Sequence, residues 1–496
     1  MAGRHGNRVS TRQAPGRTGS TARAATVSPL RIAAAPMIAV SVVLLLVAGR
    51  YGPHWDELDF RALPLRWWYV DQPPLTVWLT WLAAHVSDEL WVQRLPAVAA
   101  AAAGALVASL FPRALGAGPG TQRLAAWAHA FTVYPLLMGH IFTTGAIDLL
   151  AWELTVLLVL RAAQGRPRFL VWAGLVAGAA CWNKLLIVVL LAALFASLCL
   201  TCRWLLRTPE TLVAAVVFLV VAAPQLWAQL EHGLPMSQVS AGLVAQHGTT
   251  VRLVLLPTLT LFVGPPLVLV ALHGLLDPWR GGPRAGRFLL PTLLLVVVFT
   301  LASPSQPHYP MGALLPALSL GWASPRLRRR WDRTRRRRVV AANAVVACLI
   351  CLPLLPVSQP WVGAQSVVNP TVRDQLGWPE LAAEVSRARQ PGEDVVVDSY
   401  ALAGAVQRYG SEADRAALHS GHNGLWELGP PRSQRVVLVG AHATAQRDAF
   451  ASCTPGPSPR TGPVVHPDLV DVPVLHCQGP EADWRTLWPR FRRISG

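Results

Sequence analysis

Charged residues are scarce in this chain, and the few that interrupt its apolar stretches stand in polar links between them. His54-Trp55-Asp56-Glu57-Leu58 follows the first apolar run, and Asp71 follows in Tyr69-Val70-Asp71-Gln72-Pro73-Pro74. Arg94 opens the next run, Asp148 comes after Phe142-Thr143-Thr144-Gly145, Lys184 comes after Trp182-Asn183, and His308-Tyr309 precedes another run. These residue types suit transfer from a phosphate-activated donor. Cations at a membrane surface hold a lipid phosphate and stabilise the charge it gains on leaving. A carboxylate takes the proton from a hydroxyl as it attacks.

Each residue also has a plain structural alternative. Asp56 and Glu57 are acceptable as solvated loop acids, and Asp148 as an acid favoured by a helix N-terminus. Arg94 and Lys184 suit snorkelling to lipid headgroups, and His308 an interfacial histidine. Their conjunction is what points to a site. Lys184 adds weight, because the other basic residues among the 44 are all arginine.

The elements that must position these groups are set by composition. Of 496 residues, 52% are hydrophobic and 14% charged, against about a quarter charged in soluble proteins. Apolar runs fill residues 32–357, and both ends are polar. The net charge of +18 does not imply nucleic acid, since most arginines sit in the N-terminal tail and in short links, where they orient spans. The densest cluster, Arg326 to Arg338, reads as an anchor to anionic lipid of the inner leaflet.

Residues 74–87 decide the topology. They are apolar and Trp-bearing but only 14 long, whereas a span needs about 20. If they lie flat on the outer surface, the links holding Arg113 and Arg123, Arg161 to Arg168, Arg203 and Arg207, Arg280 to Arg287, and the Arg326 cluster all fall inside. The polar links at 50–93, 139–148, 181–184, 231–250 and 303–309 then fall outside. The reading is a polytopic α-helical membrane protein of 11 spans. Residues 1–30 form a disordered basic cytoplasmic tail, residues 31–357 a transmembrane domain with an outer loop and surface helix at 50–93, and residues 358–496 a soluble extracytoplasmic α/β domain. The tail's alternation of PELAAEVSRAR, EDVVVDSYALAGAVQRYG and VVLVG supports that last assignment. Five of the seven cysteines read as small core residues, and Cys453 with Cys477 form a candidate disulfide if the tail lies outside the cytoplasm.

At HWDELDF, YVDQPPL, QRLPAV, GHIFTTGAIDLLAW, CWNKLL and HYPMGALLPAL the chain resembles the bacterial glycosyltransferase family 39-like proteins of the GT-C membrane superfamily. These are relatives of protein O-mannosyltransferases and of the aminoarabinose transferases that modify lipid A. The resemblance runs from about residue 30 to the end, although SQPHYPMG stands where many relatives have a more basic-aromatic segment. It implies a polyprenyl-phosphate sugar donor, an extracytoplasmic active site and inversion at the anomeric carbon. Asp56 would be the general base with Glu57 in support. Arg94, Lys184, His308 and Tyr309 would contact donor phosphate or sugar, and His54, Asp71 and Asp148 would support the pocket. Metal use varies across the superfamily, so a divalent metal is compatible, but no ligand cluster in the sequence demands one.

The acceptor expected is an envelope glycan, a lipid or a secreted-protein hydroxyl. The alternative is a polytopic lipid or polysaccharide transporter or flippase. That reading expects charges deep within spans and an internal repeat, whereas these spans read as nearly free of charge at their centres and no clear repeat is seen. A non-enzymatic envelope-binding protein is a third alternative, for which eleven spans are an excessive anchor.

Overall fold

The computed structural model describes residues 3, 27–304, 306–459 and 470–495. Most of the segment expected to form a basic tail therefore lies outside the described residues. From Pro29 to Cys351 the chain is almost entirely helical. Among the described residues four helices are long and apolar enough to cross a bilayer: Pro29–Val47, Leu95–Ala114, Pro209–Glu231 and Arg284–Ala302. The pair Pro235–Val263 and Pro265–Trp279, bent by 94° at its break, would count as a fifth. Gly264 makes the bend, with φ of 91° and a proline after it. A side chain there would collide with Asn343, whose amide donates to the Phe131 carbonyl at 3.1 Å.

Length alone therefore identifies fewer crossings than the eleven expected. Leu75–Val86, Phe169–Ala180, Ile187–Thr201 and Met311–Gly321 are apolar but shorter. A helix of 12 residues, such as Leu75–Val86, is only about 18 Å long, against a hydrocarbon core of roughly 30 Å. Thr144–Ala163 has 20 residues but carries Asp148, Glu153 and Arg161. Glu153 departs from the expectation of charge-free span centres. Its carboxylate is buried and bonded to His129 Nε2 at 2.7 Å, and an ionisable group inside such a bundle is retained when it faces a partner rather than lipid.

The helices are packed closely where their residues are small. A Cβ on Gly274 would lie 1.9 Å from the Ala317 carbonyl oxygen, and one on Gly321 equally close to that of Val270. Pro265–Leu276 and Met311–Gly321 thus touch backbone to backbone, the dispersion-driven contact that small residues permit. On the outside, Pro209–Glu231 leaves Leu212, Val216, Leu219 and Val220 exposed. A contiguous apolar face of this kind suits lipid and would be a liability in water.

Beyond the helices lies a five-stranded sheet of order β2-β1-β3-β5-β4. Its strands are β1 (Asp394–Val397), β2 (Leu418–Ser420), β3 (Arg435–Val439), β4 (Phe450–Pro455) and β5 (Val474–Pro480). β1 pairs in parallel with β2 and β3, and β5 runs antiparallel to β3 and β4. The unbroken apolar runs of β1 and β3 are buried, as central strands covered on both faces require. Cys453 and Cys477 stand opposite each other on β4 and β5 and are disulfide-bonded. Helix Tyr400–Tyr409 joins this unit to the outer loop. A Cβ on Gly404 would sit 2.6 Å from the Leu58 backbone, so only glycine lets the two helices meet.

Candidate active site

The short helix Trp55–Ala62 separates the two acids of the first loop. Successive helical residues point about 100° apart, so Asp56 and Glu57 face different surroundings. His54 caps the helix, its Nδ1 accepting from the Asp56 amide at 3.2 Å. Glu57 Oε2 reciprocally accepts from the His54 amide at 2.7 Å, a capping box in which histidine takes the place usually held by Ser or Thr.

Glu57 is consequently turned into the protein. It accepts from Arg94 Nε at 2.9 Å, from Arg94 Nη2 at 2.8 Å and from the Phe142 amide at 2.8 Å. Neither side chain of the pair retains any exposed surface. Arg94 also donates to the carbonyls of Ala48 and Gly52, both at 2.8 Å, and to Gln375 Oε1 at 3.3 Å. All of its nitrogens are thereby engaged. Neither Glu57 nor Arg94 lines the nearby cavity; together they form an internal tie between the first long helix, the outer loop and the segment before the sheet.

Asp56 faces a cavity of about 450 Å³ at the junction of helices, outer loop and sheet unit. A third of its side-chain surface remains open there. Oδ1 accepts from the Tyr400 hydroxyl at 3.2 Å, and Oδ2 lies 3.8 Å from His54 Nδ1. Burial in the cleft wall pushes its carboxyl above the ordinary range, and His54 and the Tyr400 hydroxyl pull it partly back. Asp59, one turn along the same helix face, also lines the cavity. It is buried, its Oδ1 has no hydrogen-bond partner, and burial together with Asp71 and Asp56 raises its carboxyl well above the usual value.

Asp71 completes this acidic wall. Its Oδ2 accepts from the Asn423 amide at 2.9 Å, its Oδ1 has no hydrogen-bond partner, and burial raises its pKa to about 6. His54 Nε2 approaches Asp374 Oδ2 at 3.5 Å, and Asp374 lines the cavity as well.

The opposite wall is built by the helical bundle. Lys184, His308 and Tyr309 line it, joined by Tyr134. The Lys184 ammonium lies 5.3 Å from the centre of the Tyr309 ring, and His308 stacks on Tyr134 with ring centres 5.4 Å apart. Lys184 follows Asn183, which is locked by hydrogen bonds of 2.7 and 2.8 Å to Thr76 and the Thr144 carbonyl. The turn carrying the lysine is thus held against the short helix Leu75–Val86. Asp148 does not line the cavity; it accepts from Trp152 Nε1 at 3.1 Å and acts on Lys184 electrostatically.

The structure therefore gathers Asp56, His54, Asp71, Lys184, His308 and Tyr309 around one cavity, while Asp148, Glu57 and Arg94 are buried outside its lining. Sequence reasoning missed Asp59, whose i, i+3 spacing from Asp56 was a usable signal. It also missed Tyr134, Asp374, Tyr400 and Asn423, for which no local spacing points to this cavity. Among the described residues no group of three or more His, Cys, Asp or Glu side chains is arranged to hold a metal ion.

Residues 71–227 match the family model described as dolichyl-phosphate-mannose-protein mannosyltransferase. Most of the chain shares its fold with ArnT from Cupriavidus metallidurans. The apo form aligns at 15% identity over 90% of this chain and 98% of that one, with a TM-score of 0.55. The form bound to undecaprenyl phosphate aligns at 14% over 89% and 97%, with a TM-score of 0.53. The oligosaccharyltransferase of Archaeoglobus fulgidus is a more distant likeness, at 12% identity over 77% and 61% with a TM-score of 0.45. No curated protein matches the sequence.

Proposed function

We propose that this chain, a multi-pass membrane protein of the GT-C glycosyltransferase type, moves a sugar from a polyprenyl-phosphate donor to a hydroxyl of an envelope glycan, lipid or secreted protein. The observation that carries the reading is one cavity with carboxylates on the loop wall and Lys184 on the helical wall. A family model of lipid-phosphate mannosyltransferases over residues 71–227 supports it, as does the shared fold with an ArnT that binds undecaprenyl phosphate.

In this mechanism Asp56 takes the proton of the acceptor hydroxyl as its oxygen bonds to the anomeric carbon. The bond from that carbon to the phosphate oxygen breaks, and its electron pair leaves with the lipid phosphate. Attack from the face opposite the phosphate inverts the anomeric centre. Lys184 stabilises the departing charge, a task for a compact ammonium at a point of charge development. Tyr309 and His308 flank the donor, and Asp71 and His54 shape the acid wall. Glu57 and Arg94 act as positioning residues, through the loop that carries Asp56.

The topology that goes with this reading has 11 spans, the surface helix within 50–93, and residues 358–496 as an extracytoplasmic α/β domain over the cavity. Purified protein given a radiolabelled polyprenyl-phosphate hexose or pentose and an envelope extract should transfer label to the extract. Asp56→Asn should remove that transfer while insertion and unfolding temperature stay unchanged. Ordinary turnover by the variant would sink the assignment of the base. Movement of intact lipid-linked sugar across vesicles without transfer would favour the transporter alternative instead.

A further inference from the structure

We propose that a groove between the helices Pro119–Ala130 and Arg333–Cys351 is a binding site for an anionic diacyl phospholipid. The groove encloses about 530 Å³. Its mouth carries Arg123, Arg333 and Arg337, and its floor is apolar, built around Trp127, Phe131 and Ala344. Arg333 and Arg337 are one helical turn apart and project from the same face. None of the three arginines forms an ion pair with a carboxylate among the described residues. The acid closest in sequence, Asp332, is engaged as the helix cap, accepting from the Arg335 amide at 2.6 Å.

The location supports a lipid rather than another occupant. Val133, just beyond the end of the first helix, lines the active cavity, and the second helix ends near Ile350, which lines that cavity too. The arginines lie at the other ends of both helices, and 19 residues of the second span roughly 28 Å. The groove thus opens at the opposite membrane surface, on the side to which arginine-rich links belong. Three arginines above an apolar floor match a phosphate above an acyl chain. The chain's own N-terminal segment is a poor occupant, because residues 1–30 hold five arginines and no acid. A neighbouring cavity is also rimmed by arginines but differs in kind, since Asp277 stands in it and pairs with Arg326 at 3.1 Å.

The test is native mass spectrometry of the full chain released from nanodiscs of phosphatidylglycerol or phosphatidylcholine. Phosphatidylglycerol should stay bound preferentially, by about a hundredfold for three arginines near a lipid surface. The triple variant Arg123→Gln, Arg333→Gln, Arg337→Gln should lose that preference. Ala344→Trp should lose the retained lipid by filling the floor, with all arginines and the helical circular-dichroism signal intact, so the site remains testable if the triple variant fails to fold. Equal retention of both lipids, or full retention by Ala344→Trp, would overturn the proposal. So would displacement of phosphatidylglycerol by millimolar inorganic phosphate, which would make the groove a site for a free anion. None of these outcomes depends on the proposed sugar transfer.

Discussion

The acid wall of the cavity and the Glu57–Arg94 tie begin from adjacent residues and are built on opposite principles. Glu57 is fully buried and accepts four hydrogen bonds, so its charge is completely compensated. Asp56 keeps open surface toward the cavity and has a single hydroxyl donor and a histidine nearby. The first arrangement fixes geometry, and the second leaves a basic oxygen free to act. A carboxylate enclosed by donors has no open lone pair for an acceptor hydroxyl to reach. That difference is why the proposed mechanism gives the proton transfer to Asp56 and the anchoring to Glu57.

Exchanging the two acids' properties should break this contrast most sharply. Asp56→Asn should lower kcat for transfer by about 10²- to 10⁴-fold, the usual contribution of a positioned base, with little change in unfolding temperature. Arg94→Met should instead destabilise the protein by about 3–5 kcal/mol, because it strands a buried carboxylate. A thermal or denaturant unfolding series on both variants checks the division. An active, stable Arg94→Met protein would show that the tie is dispensable.

Lys184→Gln sharpens the chemistry of the other wall. Removing a charge that stabilises the leaving group should cost about 10²- to 10³-fold in kcat, with expression unaffected, whereas a lysine that merely snorkels would leave kcat intact. The smallest effect is expected from Tyr400→Phe. In the proposed mechanism transfer requires ionised Asp56, so activity should be present above its raised pKa and lost as pH falls through it. The Tyr400 hydroxyl favours the ionised form, and its removal should move the acid limb of the pH profile upward by less than about one unit, the scale of one hydrogen bond near 1 kcal/mol. A limb that stays in place would remove Tyr400 from the account of Asp56.

The sequence made the membrane character legible, together with His54, Asp56, Asp71, Lys184, His308 and Tyr309 of the cavity lining, because apolar runs and the polar links between them are local patterns. It did not separate Glu57 and Arg94 from the cavity. That distinction depends on where the helix Trp55–Ala62 starts, and a histidine cap is a weak start signal. Asp374, Tyr400 and Asn423 come from segments more than 300 residues beyond Asp56, and only tertiary packing brings them near. Glu153 is an exception to spans that read as nearly free of charge, and the partner that compensates it, His129, sits on another helix. Crossing number is not set by local pattern either: helices of 12 residues such as Phe169–Ala180 are shorter than a full span by their own length.

The partners of the Arg94–Glu57 tie also follow an order along the chain, and so in synthesis. The Arg94 partners at Ala48, Gly52 and Glu57 precede it on the chain, so they are available as soon as the arginine emerges. The Phe142 amide arrives at Glu57 some fifty residues later, and Gln375 arrives last. A nascent chain stopped before residue 375 can therefore hold its buried charge but lacks the final clasp. The tie that holds the outer loop thus gains its last partner only once residue 375 has been made.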